Sequence, residues 1–246
     1  MKSKNDDNRR KFLRVSAIAG AGIVLAACEK KTIISAENNS KPEEKGGEVT
    51  ATEDLMREHG VLRRALLVYA ETAPKLRRDP SSIAPDALQK TARLFRAFGE
   101  DYHEKKLEET YIFPAITKAG GVTASLPDIL IAQHNRGREI TDYILTVTKG
   151  AKLGAANAEA LAKALEGFVL MYQNHAARED TIIFPAWKDT MSAEQLDQMG
   201  AKFEEIEQQQ FGKDGYEDAV KQIGDIEGAL GFADLSQFTA PAPPKV

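Results

Sequence analysis

From residue 51 onward the apolar residues recur at steps of three and four, the period of an amphipathic helix, and alternating strand-like runs are nearly absent. Leu55, Met56, His59, Leu62 and Leu66 share one face of a first helix, which opens near Thr52 with Glu53 and Asp54 in its first turn. A second helix is predicted from Pro85 through Leu88, Phe95, Phe98, Tyr102 and His103 to Phe113-Pro114. A third starts near Ser125 and carries Leu130, Ile131, His134, Thr141, Ile144 and Leu145 on its inner side, ending at Gly150. The fourth runs from about Asn157 through Leu161, Leu165, Phe168, Met171, His175, Glu179 and Ile182 to Phe184-Pro185. Ser192-Ala-Glu-Gln195 has the form of a capping box and should open a shorter fifth helix ending near Phe211-Gly212. The pattern predicts an all-α, up-and-down four-helix bundle with a short fifth helix. Beyond it, a short helix around Glu217–Ile226 and a frayed, weakly ordered tail are expected as a surface appendage.

The first fifty residues are of another kind. Arg9-Arg10, followed by Phe12-Leu13 and Arg14, resembles a twin-arginine export signal. The apolar stretch from Val15 to Ala27 is shorter than the roughly 20 residues that span a bilayer, and suits a signal-peptide core. It ends in Leu25-Ala26-Ala27-Cys28, similar to a bacterial lipobox, which implies cleavage before Cys28 and its lipidation. The expected division is signal peptide over 1–27, tether over 28–50, bundle over 51–190, and C-terminal helix with tail over 191–246. The location this implies is the periplasmic face of the cell envelope, with the membrane as a partner through the lipid. Twin-arginine export also implies passage of a folded chain, often with its cofactor already in place.

Net charge is −4 and 28% of residues are charged, which gives no basic face for nucleic acid. Cys28 is the only cysteine, so thiolate zinc sites, iron–sulfur clusters and internal disulfides are excluded. The chain has four histidines, His59, His103, His134 and His175, one on the apolar side of each long helix. Burying four unpartnered imidazoles would cost several kcal/mol, and a shared metal would resolve all four.

An internal repeat strengthens that reading. Glu108-Glu-Thr-Tyr-Ile-Phe-Pro-Ala-Ile116 aligns with Glu179-Asp-Thr-Ile-Ile-Phe-Pro-Ala-Trp187, identical at six of nine positions. Each copy follows a histidine by four or five residues, so the chain reads as two helical hairpins. Each hairpin supplies a histidine from its first helix, and a histidine plus a glutamate from its second. This paired pattern resembles the hemerythrin-like, or HHE cation-binding, family over about residues 52–190. The resemblance implies two irons between the helices, bridged by two carboxylates and a solvent oxygen, with His59, His103, His134 and His175 as terminal ligands. Glu179 and Glu108 would be the bridges.

The spacing departs from the family pattern at one place. His103 and Glu108 are five apart, with Leu107 at the expected position, and five steps of a regular helix turn about 140°. Either a π-bulge absorbs the extra residue or the second bridge is Glu104 or Glu100. Imidazole and carboxylate suit iron, with manganese or zinc less favoured. A ferritin-like site is weaker, because Glu100 to His103 is the one Glu-x-x-His match. A bis-histidine haem would leave two histidines and the repeated glutamates unexplained. Oxygen-carrying hemerythrins use five histidines as a family and this chain has four, which implies open positions for O₂, NO or peroxide and favours redox chemistry over reversible carriage. The alternative function is iron storage or donation without gas chemistry. An electron-transfer partner and the oligomeric state are not legible.

Overall fold

The computed structural model describes residues 49–244, and all the elements in it are helical. Helix α1 spans Ala51–Arg78. Its cap is Thr50, not the expected Thr52: the Thr50 hydroxyl accepts from the Glu53 amide at 3.3 Å, which leaves Thr52 inside the helix. A 3₁₀ turn at Pro80–Ser82 leads to α2, which begins at Pro85 and is α-helical to Leu94. It continues as a π-helical run over Phe95–Ile112 and returns to α geometry over Phe113–Ala119. Helix α3 covers Leu126–Val147. Helix α4 covers Ala155–Arg178, widens to π geometry over Glu179–Ile183 and resumes over Phe184–Lys188.

The two Phe-Pro pairs are therefore not helix ends, as the sequence pattern suggested. Each proline opens a renewed α-helical segment just after a π-helical one, in the first turn where a missing N–H costs least. Helix α5, Ala193–Phe211, is opened by the expected Ser192–Gln195 capping box and closed by Gly212 in the left-handed region, and at 19 residues it is shorter than the four bundle helices, as expected. Helix α6, Gly215–Leu230, is longer than expected and is no surface appendage. Ala219, Ile223 and Ile226 are buried in the common core, and the Arg64 guanidinium of α1 reaches Glu227 with Nε 2.9 Å from Oε1.

Helices α1 to α4 form the four-helix bundle, with α1 packed along α4 and α3 against α2 and α4, while α5 and α6 lie against α1 and α2. One half of the interior is hydrocarbon and aromatic. Tyr69, Phe95, Phe168 and Tyr172 interlock there at ring distances of 4.6–5.5 Å. Trp187 stacks on Phe203 of α5, 5.7 Å away, and closes the opposite end. Between these two apolar regions the core turns polar. Glu58, His59, Glu100, His103, Glu104, Glu108, His134, His175 and Glu179 are all buried.

No helix among the described residues is long and apolar enough to cross a membrane. Arg9, Arg10, Cys28 and the expected tether lie outside the described residues, apart from the tether's last two.

Candidate metal centre

The two π-helical segments put the glutamates into the polar layer. In the first, the Phe113 amide bonds back to the Glu108 carbonyl, and the Thr110 hydroxyl bonds to the Lys105 carbonyl at 2.8 Å, both five residues earlier. An i→i+5 ladder brings residues five apart onto one face. His103 Nε2 consequently lies 3.2 Å from Glu108 Oε1. In the second hairpin His175 and Glu179 are four apart, and Nε2 lies 2.9 Å from Oε1.

The six side chains converge as two matching halves. His59 and His103 face each other through Nε2 at 3.0 Å, and so do His134 and His175. Glu108 sends Oε1 toward His103 and Oε2 toward His134, the latter at 3.4 Å. Glu179 sends Oε1 toward His175 and Oε2 toward His59, the latter at 3.5 Å. Each carboxylate therefore offers one oxygen to each histidine pair. Phe184 stacks on His59 at 5.3 Å and Phe113 on His134 at 5.6 Å, fixing the ring planes.

Outside this ring, every Nδ1 meets an oxygen. His59 faces Asp180 at 2.7 Å, His103 faces Glu58 at 2.6 Å, His134 faces Glu109 at 3.1 Å, and His175 faces Gln133 at 2.9 Å. An oxygen acceptor at that distance holds the proton on Nδ1 and leaves the Nε2 lone pair pointing inward, the tautomer a metal ligand needs. Glu58, Asp180, Glu109 and Gln133 were not singled out in the sequence. The signal was there for two of them, since Glu109 and Asp180 are the conservative match inside the repeat.

The donor set fits a pair of cations. All four oxygens of Glu108 and Glu179 are buried without a hydrogen-bond partner, a costly state unless something positive lies between them. The imidazole nitrogens face each other in pairs, and nitrogen and carboxylate donors without a thiolate suit iron, manganese or zinc. Two groupings with this donor chemistry, Glu108/His134/His175/Glu179 and His59/His103/Glu108, share Glu108.

The alternative bridges point elsewhere. Glu104 accepts from the Tyr172 hydroxyl at 2.7 Å and pairs with Arg138 at 3.1 Å. Glu100 accepts from the Thr141 hydroxyl at 2.5 Å and lies beside Arg96. Glycine at 137 is what lets Tyr172 in: a Cβ there would stand 2.0 Å from its hydroxyl oxygen.

Without a cation the layer holds protons unevenly. Burial works against charge on His103, yet the Glu108 and Glu58 carboxylates hold its pKa well above the ordinary imidazole value. His134 is similarly pushed up to about 10, burial being outweighed by Glu104, Glu108 and Glu109. His175 is pushed down to about 3 by burial and then by the His134 charge. Burial, followed by the Glu108 charge, holds the Glu179 carboxyl well above its usual range.

Over residues 50–187 the chain matches the Hemerythrin HHE cation binding domain. It belongs to that family. It is also 43% identical, over 234 residues, to the uncharacterized proteins Rv1995 of Mycobacterium tuberculosis and Mb2018 of Mycobacterium bovis, an alignment covering 94% of this chain and 90% of each relative. No solved structure matches the chain significantly. Family membership makes the polar layer of this hemerythrin-like bundle a cation-binding region.

Proposed function

We propose that the chain is a non-haem di-iron protein that binds O₂, NO or a related small molecule at the cell envelope and has redox activity. The observation that carries this reading is the division of Glu108 and Glu179, each with one unpartnered oxygen toward each histidine pair. His59 and His103 would hold one ion, His134 and His175 the other, and the two glutamates would bridge. Iron, when bound, supplies open coordination positions and one-electron redox chemistry. Imidazole and carboxylate donors suit iron, with manganese or zinc less favoured.

The protein's own residues do the rest. Imidazole protons stay on Nδ1, so binding two cations displaces the protons that His103 and His134 otherwise hold at Nε2. A space of about 10 Å³ at the site is lined by His59, His103, Glu108, His175 and Glu179 on one side and by Leu62, Leu66 and Phe95 on the other. So small a space with an apolar wall suits a small ligand such as a diatomic gas. Arg9-Arg10 and Cys28 support export and a lipid anchor by their resemblance to known signals.

The test is metal analysis and optical spectroscopy of full-length protein loaded with ferrous iron under nitrogen. We expect about two irons per chain and new absorption on admitting O₂ or NO. Two irons that are released to a mild chelator, with no spectral response to either gas, would replace this reading with iron storage or donation.

A further inference from the structure

The two-fold symmetry of the repeat extends into the hydrogen bonds around the site. Glu58 and Gln133 each precede the first histidine of their hairpin, and each meets Nδ1 of that hairpin's second histidine, His103 or His175. Glu109 and Asp180 each follow a glutamate of the repeat, and each crosses to the first histidine of the other hairpin, His134 or His59. Phe113 and Phe184 cross in the same way. Four positions thus form two symmetry-related pairs. Glu109 and Asp180 are both carboxylates held by cations, the one by Arg138 and Lys105 and the other by Arg63 alone. The pair that breaks the symmetry in kind is Glu58 against Gln133.

A carboxylate that accepts the Nδ1 proton makes Nε2 a stronger donor to a metal, whereas a neutral amide oxygen does so weakly. His59 and His103 are backed by two carboxylates. His134 and His175 are backed within hydrogen-bond distance by one carboxylate and one amide, Glu104 standing further from His134 Nδ1 at 3.8 Å and engaged by Tyr172 and Arg138. We infer that the two metal positions are electronically unequal, the His59/His103 position favouring the ferric state and the His134/His175 position retaining the ferrous state. In the half-oxidised protein one electron has left the ion at the first position for a one-electron outer-sphere oxidant. No bond is broken, and the Nδ1 protons stay in place. The second electron is held on the Gln133 side, where a ligand that needs ferrous iron would bind.

This inference rests on the di-iron reading, and the test separates the two. Full-length protein loaded with ⁵⁷Fe(II) is titrated with ferricyanide under nitrogen and followed by electron paramagnetic resonance and Mössbauer spectroscopy. The expected result is a mixed-valence signal accounting for most of the protein over a broad range of potential. Gln133→Glu makes the halves alike and should lower the comproportionation constant by about tenfold. Glu58→Gln makes them alike in the opposite sense and should lower it too, so either variant decides the matter if the other fails to load iron. Uptake of two irons, followed by loss of both electrons in one step with no mixed-valence signal, overturns the inequality alone. So does a constant unchanged in a variant that loads iron. Uptake of one iron or none overturns the di-iron reading and the inequality with it.

Discussion

The two hairpins reach the same arrangement from different sequences. The first separates its second histidine and its glutamate by five residues and uses an 18-residue π-helical run to bring them together. The second separates them by four, and its π-helical segment of five residues begins only at the glutamate itself. Around the histidines they differ again. Three residues before and one after His103, α2 carries Glu100 and Glu104, while the same offsets from His175 in α4 carry Tyr172 and Ala176. Besides Arg96 on α2 itself, the carboxylates of α2 take partners from α3 and α4: Thr141 and Arg138 from the one, Tyr172 from the other. The geometry of the centre is thus held constant, while backbone bonding and neighbouring charge are adjusted separately in each half.

The strongest way to break that equivalence is at a shared carboxylate. Glu179→Ala removes one oxygen from each histidine pair, so metal affinity measured by chelator competition should fall by more than about 100-fold at both positions. His59→Ala touches one pair, and metal analysis should find about one ion per chain retained. Equal losses in the two variants would argue against two separately held ions.

A steric test of the second hairpin comes next. Gly137→Ala pushes a methyl group into the Tyr172 hydroxyl, and such overpacking should cost about 1–3 kcal/mol by chemical denaturation. A variant as stable as the parent would mean that the α3–α4 contact is looser than described.

The first hairpin can be probed by pH. Burial pushes the Glu100 carboxyl up to about 7, against the Thr141 hydroxyl and the Arg96 and Arg138 charges, which pull it down. Its folded pKa lies above the unfolded value of 4.5, so the folded state binds the extra proton and stability falls as pH rises from about 4.5 through 7. Glu100→Gln should therefore be more stable than the parent at pH 8, by roughly 1–2 kcal/mol, and the advantage should vanish near pH 4.5. An advantage that persists at low pH would assign the effect to packing.

The smallest effect is in α1. A Cβ at Gly60 would meet nothing within 4 Å, so Gly60→Ala should stabilise the helix by about 0.5–1 kcal/mol. Glycines close to histidines in the two hairpins thus respond with opposite sign, and the same denaturation series reads both.

The six inward-facing side chains were legible because ligand chemistry is coded locally: a histidine on each apolar stripe, and a repeat that carried Glu108 and Glu179. The bundle was legible from periodicity alone. What stayed hidden depends on the meeting of separate elements. Nothing adjacent in the chain shows that Asp180 faces His59 or that Gln133 faces His175, since those contacts exist only when the hairpins interlock. The cap is a different case: Thr50 stands three residues before Glu53, the spacing of a capping box, so a local signal for it was present that Thr52 lacks. Helix α6 was undervalued because Gly224 and Gly228 interrupt a pattern whose buried members, Ala219, Ile223 and Ile226, still follow helical steps.

The space between the site residues has a consequence for access. Leu62, Leu66 and Phe95 line it together with His59, His103, Glu108 and Glu179, so a change of bulk at any of those three apolar side chains alters the room at the polar layer without touching a donor atom.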